Sequence, residues 1–351
     1  MPSATPATTP VPAVPLPTLL VLEADPATLP PRLGRLTGRV RIRSTGPAGL
    51  AALLPHADAL LVWDFTSDAV RAAWPGEGAR PRWVHTASAG VERLLCPELV
   101  DSSTVVTNAR GIFEEPIAEY VAGLVLAMAK DLPGTLELQR QRRWRHREGL
   151  RVAESRAVVI GAGPIGRAVA HTLRRLGVTV AVTGRTARPG VHGADQLDRL
   201  LTRADWVICA APLTDATRGM FDARRFGLMQ PSARFINVGH GQLVVEDALV
   251  AAVSRRWIAG AALDVFTDEP LDPQSPLWDV PGLIVSPHMS GDTVGRRDRL
   301  GAQFVQMYEL WAAGKPLPNV VDKKRGYVPT HDTQDAHDTR DTRDTRDAHD
   351  G

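Results

Sequence analysis

Residues 156–166 read Arg156-Ala-Val-Val-Ile160-Gly161-Ala-Gly163-Pro164-Ile165-Gly166. Four apolar residues run straight into three glycines spaced G-x-G-x-x-G, and a helical pattern then follows as far as Gly177, a residue well placed to end a helix. Each glycine has a physical task. Gly161 permits a tight turn, Gly163 lets the backbone approach a pyrophosphate, and Gly166 lets helix and strand pack closely. The helix start then presents unbonded amides to an anion. A glycine pattern alone also suits a plain packing turn. Here the preceding strand, the following helix and a next strand at Val178–Val182 are all present, which favours a dinucleotide-binding loop.

The end of that next strand bears on which dinucleotide. An NAD site places a carboxylate there to accept from the ribose 2′-hydroxyl. This chain has Thr183-Gly184-Arg185-Thr186-Ala187-Arg188 instead. No acid is present to repel a 2′-phosphate, Arg185 can pair with one, and Thr186 can donate a hydrogen bond to it. NADP(H) is therefore favoured, with NAD(H) left open; a surface arginine without a ligand is the plain alternative.

The same rhythm extends outward in both directions. Apolar runs at Trp206–Ala210, Phe235–Val238, Ala259–Leu263 and Leu283–Val285 follow, separated by helical patterns. Before the loop, Thr18–Glu23, Ala59–Trp63, Trp83–Thr86 and Val105–Thr107 read as strands and Glu115–Lys130 as a helix. Continuous apolar strands spaced by crossovers predict an α/β fold, a parallel sheet covered by helices on both faces. No repeat of solenoid length is visible.

The rest of the composition narrows the class. Of 351 residues, 44% are hydrophobic and 23% charged, and no apolar run approaches the roughly 18 residues a membrane helix requires. Two cysteines, Cys96 and Cys209, make no disulfide framework, which fits a reducing cytoplasm, and no zinc-like spacing occurs, so no metal is expected. Residues 1–17 carry six prolines and no charge, and read as an extended solvated arm without the basic start of a signal peptide. Residues 331–351, HDTQDAHDTRDTRDTRDAHDG, place an Asp at every third position and offer no apolar face, so 329–351 is read as a disordered acidic tail. A tail of this kind with histidines could hold a metal loosely, but a solvated tail is the simpler reading. The formal charge of +2 conceals this division, because the repeat carries −4 and residues 1–330 carry +6. Gln139–Arg147, QRQRRWRHR, is the most basic stretch; one Trp among arginines on a helix reads as a solvated face, and neither nucleic acid nor membrane is expected as a partner.

Four further blocks come in order: Ala211-Pro212-Leu-Thr-Asp-Ala-Thr217, Phe235-Ile-Asn-Val-Gly-His240-Gly241, Leu263-Asp264-Val-Phe-Thr-Asp-Glu269-Pro270 and Val285-Ser-Pro-His288-Met-Ser290. With the glycine loop, and with Ala87-Ser-Ala89-Gly90-Val91-Glu92, Ile117-Ala-Glu-Tyr120 and Asn319-Val-Val-Asp322, the chain resembles the D-isomer-specific 2-hydroxyacid dehydrogenases over nearly all of residues 18–328. The resemblance implies two Rossmann-like domains, 108–287 for the dinucleotide and 18–107 plus 288–328 for the substrate, with the active site in the cleft between them and a homodimer as the assembly. It implies that Gly161, Gly163, Pro164, Ile165, Gly166, Pro212 and Thr217 contact the cofactor, with Asp264 near its nicotinamide end. By the same resemblance His288 protonates the carbonyl of a small 2-keto acid such as glyoxylate or hydroxypyruvate, Glu269 holds that imidazole, and backbone amides of Ala89, Gly90 and Val91 hold the substrate carboxylate. The chemistry suits the residue types: an imidazole titrates near neutrality, and a neighbouring carboxylate favours its charged form. Read singly, each residue has a plainer role: His288 a buried structural histidine, Glu269 a solvated turn residue, Asp264 a cap, 89–91 a turn.

One position departs from the family pattern. His240 stands where the family carries an arginine that grips the substrate's carboxylate and carbonyl oxygens. Imidazole is shorter and cannot form the two-pronged guanidinium fork. Losing a charge-assisted contact of that kind costs about 2–4 kcal/mol, or roughly 30- to 1000-fold in rate. Three readings stay open: His240 donates to a different substrate; an arginine such as Arg110 supplies the charge from elsewhere; or the protein binds the dinucleotide and turns over little, as a regulatory or scaffold protein. A weakened or redirected reductase ranks first, since a drifting pseudo-enzyme has no reason to keep both His288 and Glu269. If His240 is a degraded arginine, His240→Arg raises turnover of small 2-keto acids; turnover that is unchanged or lower sinks that idea.

Overall fold

A computed structural model describes residues 15–25 and 27–329. The acidic repeat, and the proline arm up to its last three residues, lie outside the described residues. The chain divides into two compact units: one takes residues up to Ala109 together with Arg297–Pro318, the other Arg110–Arg296 and the residues from Asn319 onward.

In the first unit β1 (Thr18–Leu22), β2 (Arg41–Thr45), β3 (Ala59–Val62), β4 (Trp83–Thr86) and β5 (Val105–Asn108) form one parallel sheet in the order β2-β1-β3-β4-β5. β1 and β3 sit inside the sheet and are buried almost throughout, which is why they read as unbroken apolar runs. β2 escapes that reading. It is Arg-Ile-Arg-Ser-Thr on an edge, with both arginines exposed, and charge on an edge strand discourages pairing with other chains. The core is aromatic. Trp83 is fully buried and stacks on Phe304, ring centres 5.3 Å apart, and on Trp311 at 5.7 Å, both from the helix Arg296–Ala312. Its indole N–H donates to Thr107 Oγ1 at 2.9 Å, and the Thr107 hydroxyl also meets His85 Nδ1 at 2.9 Å. Burial pushes the His85 pKa down to about 3, so this histidine is neutral and structural.

In the second unit β6 (Arg156–Ile160), β7 (Thr179–Thr183), β8 (Trp206–Cys209), β9 (Arg234–Asn237), β10 (Gly260–Leu263) and β11 (Leu283–Val285) form a parallel sheet in the order β11-β10-β9-β8-β6-β7. The strands match the sequence expectations to within a residue at most ends. Under the sheet Phe221, Phe226 and Phe235 are fully buried, with Phe221 and Phe235 ring centres 4.6 Å apart. On the other side the helix Glu114–Ala129 packs against the helix Pro164–Arg175.

The basic stretch is not a helix as expected. The helix Leu132–Arg140 ends inside it, Arg142 takes a left-handed φ of 53°, and residues 143–150 follow without regular structure. No residue of that helix is buried, so no apolar face holds the next turns in place. His288 belongs to the unit of the glycine loop, and both cysteines are buried free thiols.

Trp83 carries the most packing in the first unit. Trp83→Ala should destabilise the protein by about 3–5 kcal/mol, read as a lower midpoint in guanidinium unfolding followed by tryptophan-independent circular dichroism.

Candidate functional site

In a parallel sheet every strand ends on the same edge, and ligands gather outside that edge. The six strands of the second unit end there at Ile160, Thr183, Cys209, Asn237, Leu263 and Val285. The next residues are the glycine loop, Arg185 and Thr186, Pro212 to Thr217, His240, Asp264 and Glu269, and His288. The topology thus brings to one edge residues that lie up to 127 positions apart in the chain, between Gly161 and His288. Ala89, Gly90 and Val91 lie in the other unit, after β4.

The glycine loop has the expected shape. Gly161 has φ 116°, and a Cβ on it would strike the Ala210 carbonyl; a Cβ on Gly166 would overlap the Gly161 carbonyl oxygen. Gly163 is the N-cap of the helix Pro164–Arg175, with open space where its side chain would be. Pro164 and Ile165 form the first turn of that helix. An open cradle at a helix N-terminus, backed by two glycines that admit no side chain, fits a dinucleotide diphosphate. Arg185 and Thr186 are exposed just beyond β7. Two arginines that sequence reasoning left out of the site also meet the loop: Arg167 Nη1 and Arg188 Nη2 donate to the Ala162 carbonyl at 3.0 and 3.3 Å. Arg188 stood in the quoted stretch; only the hairpin closed by its backbone bonds with Val191 turns it back onto the loop. At β8, Thr217 Oγ1 donates to the Pro212 carbonyl at 2.8 Å and accepts from Thr214 N–H, which closes the 212–217 turn.

His240 is half-buried at the start of a short 3₁₀ turn, Gly241–Leu243. Asn237 shapes its loop by donating to the His240 carbonyl at 2.8 Å and accepting from Gly239 N–H. A Cβ on Gly241 would run into the Phe266 backbone, so this loop lies directly against the segment leading to Glu269. The carbonyl of Arg110, the alternative source of charge, accepts from Asn319 Nδ2 at 2.9 Å.

Glu269 and His288 form the closest titratable pair of this edge. Glu269 Oε1 accepts from Phe266 N–H at 2.9 Å, and its Oε2 meets His288 Nδ1 at 2.7 Å. Nδ1 is thereby occupied, and Nε2 is the ring nitrogen left for a ligand. The imidazole is more than half exposed while the carboxylate is largely covered. The Glu269 hydrogen bond raises the His288 pKa above 6.5; burial works against this, and the charges of Glu269, Asp264 and Asp292 add to it. His288 also adopts φ 51°, a left-handed conformation that costs a non-glycine residue about 1–3 kcal/mol. Asp264 is fully buried, and both of its carboxylate oxygens accept hydrogen bonds from residues 286–290. In the other unit Ser88 Oγ donates to the Gly90 carbonyl at 2.6 Å, and Asn108 Nδ2 donates to that of Ala89.

Comparison with known proteins puts names beside this geometry. The family model described as D-isomer specific 2-hydroxyacid dehydrogenase, NAD binding domain, matches residues 122–290. The chain is similar to the crystal structure of a D-isomer specific 2-hydroxyacid dehydrogenase family protein from Aeromonas salmonicida, with 30% identity, 88% of this chain and 100% of the other covered, and a TM-score of 0.73. It is similar also to an NADPH-dependent glyoxylate/hydroxypyruvate reductase from Sinorhizobium meliloti, solved with NADP and sulfate, at 26% identity, 89% and 100% coverage and a TM-score of 0.75. D-3-phosphoglycerate dehydrogenase of Mycobacterium tuberculosis is 30% identical over 289 residues, 80% of this chain; the chain spans only 54% of that relative's length.

The raised His288 pKa has a definite sign. The folded pKa lies above the unfolded one, so the pair's stabilisation is full at acidic pH and is lost as pH rises through the folded value. Glu269→Gln should move the His288 imidazole titration, followed by NMR, down toward its ordinary value; an unmoved titration would show that Glu269 is not the cause.

Proposed function

This chain belongs to the D-isomer specific 2-hydroxyacid dehydrogenase family, and from that premise we propose that it reduces a small 2-keto acid to the D-2-hydroxy acid, with NADPH as the favoured reductant and His288 as the proton donor. The pairing of His288 Nδ1 with Glu269 Oε2 at 2.7 Å carries this reading. Bound NADPH supplies the hydride that goes to the carbonyl carbon. The protein supplies the matching proton: Glu269 holds the imidazole charged and oriented, and Nε2 gives its proton to the carbonyl oxygen as the oxygen gains charge. In the reverse direction the neutral imidazole takes the hydroxyl proton.

The cofactor cradle is the open space at Gly163 together with the free end of the helix Pro164–Arg175; Pro212 and Thr217 shape a neighbouring turn, and Arg167 and Arg188 bring positive charge to the diphosphate side. The preference for NADPH rests on the exposed Arg185 and Thr186 where an acid would select NADH. It agrees with the NADP bound in the Sinorhizobium reductase, whose named substrates, glyoxylate and hydroxypyruvate, support the small size class proposed here. The amides of Ala89, Gly90 and Val91 hold the substrate carboxylate, in a loop whose Gly90 and Ala89 carbonyls are taken by Ser88 and Asn108. His240 takes the arginine's place as a shorter donor, so turnover is slow or directed to another 2-keto acid.

The assembly we propose is a homodimer in the cytoplasm. Leu126, Leu132, Leu136, Leu150 and the fully exposed Trp144 are large apolar groups open to solvent along 126–150, and a second copy of the same surface would cover them. The two buried free thiols suit a reducing compartment. Among the described residues no helix is long and apolar enough to cross a membrane, and no cluster of three metal ligands occurs.

His240 favours a second reading, a dinucleotide-binding protein with little turnover. Absorbance at 340 nm separates the two when NADPH is mixed with glyoxylate, hydroxypyruvate and pyruvate in turn. The reductase oxidises NADPH faster than NADH, loses about 10²- to 10⁴-fold in His288→Ala, and loses its NADPH preference in Arg185→Ala. Tight NADPH binding with no oxidation of any of the three establishes the second reading instead.

A further inference from the structure

Asp264 is the first residue after β10, and nothing of it is exposed. Its Oδ1 accepts from the Ser286 hydroxyl at 2.7 Å and from Met289 N–H at 2.9 Å, its Oδ2 accepts from Ser290 N–H at 2.8 Å, and its carbonyl accepts from His288 N–H at 2.8 Å. Two backbone N–H groups can only donate, so the side chain is acting as an acceptor at both oxygens. Ser286 is buried as well, and its hydroxyl has given its single proton to Asp264. The result is a buried carboxylate that grips residues 286–290 through one hydroxyl and two backbone donors.

We propose that Asp264 and Ser286 are positioning residues that hold the His288 backbone so that its ring meets Glu269. This rests on the reading of His288 as the acid–base group. The need for a tether comes from the local structure. His288 lies in no helix or strand, takes a left-handed φ, and exposes more than half its side chain, so neither regular hydrogen bonding nor packing locates it. Glu269 is fixed independently, by Phe266 N–H. Two anchors at the end of the same strand therefore set the short contact: Phe266 for the carboxylate, Asp264 for the imidazole. The Ser286 hydroxyl adds a third donor that holds the buried carboxylate against the loop. The charged groups bearing on the imidazole are Glu269, Asp264 and Asp292, and the Glu269 hydrogen bond is the largest of the effects that raise its pKa.

The test uses the full chain with Ser286→Ala and Ser286→Thr. The readouts are kcat and KM for glyoxylate with NADPH, NADPH affinity, and the NMR titration of His288 in the free protein. Ser286→Ala should lower kcat about tenfold to a hundredfold with NADPH affinity within about twofold, and should move the His288 titration down. Ser286→Thr, which restores the hydroxyl, should restore the titration. A folded Ser286→Ala whose His288 titration stays in place would overturn the proposal, even with activity lost, because that loss would then be merely structural. If the unaltered chain reduces none of the keto acids, the acid–base reading fails by itself, and the titration still decides whether the two residues position the ring.

Discussion

The second unit depends on one close approach, the first turn of the helix Pro164–Arg175 resting on the Gly161 carbonyl at a point where Gly166 leaves no room for a side chain. That contact sets the helix directly over the end of β6, the strand from which the sheet extends in both directions, to β7 on one side and to β8, β9, β10 and β11 on the other. A reversal of strand order at the end of a central strand opens a crevice there, and the helix start points its unbonded amides into it. The other loops of the edge inherit their positions from the same ladder, because parallel pairing aligns all the strand ends. Chemistry on this edge comes from loops, and its precision comes from the strands beneath them.

Two histidines show how environment decides what one side chain does. His85 is enclosed by Trp83, Phe304 and the Thr107 hydroxyl, and burial drives it to a pKa of about 3, so it never carries charge at neutral pH. His288 keeps its ring at the surface with a carboxylate 2.7 Å away, and its pKa rises instead. The two carboxylates near His288 divide in the same manner. Glu269 is partly open and divides its two oxygens between a backbone amide and the imidazole, whereas Asp264 is shut inside and spends both on backbone and hydroxyl donors. One tunes a proton and the other holds a loop.

Much of this was legible beforehand, for reasons tied to particular elements. β3, β8 and β10 are buried along their whole length, so hydrophobicity alone marks them. β2 was missed because an edge strand of alternating arginine carries the opposite signal. The helical reading of Gln139–Arg147 failed because charge density says nothing about whether a buried face exists to hold a helix. Among the candidate site residues, the glycines announced themselves through spacing, and His288, Glu269 and His240 through their blocks. Arg167 is an ordinary helical arginine in the sequence; its bond to the Ala162 carbonyl, five residues back, forms only once the glycine loop turns the helix start over that carbonyl.

What the sequence determined by itself was the parallel α/β class and the dinucleotide loop, because each is a local property: apolar runs and glycine spacing act over a few positions; the acid–base candidates came through the family resemblance of their blocks. What only the tertiary structure decided was partnership. Which oxygen of Glu269 meets His288, which groups close around Asp264, and which way Arg188 turns are set by contacts across 19 to 26 residues of chain. Such contacts are directional and short, and only the folded sheet brings their partners within reach.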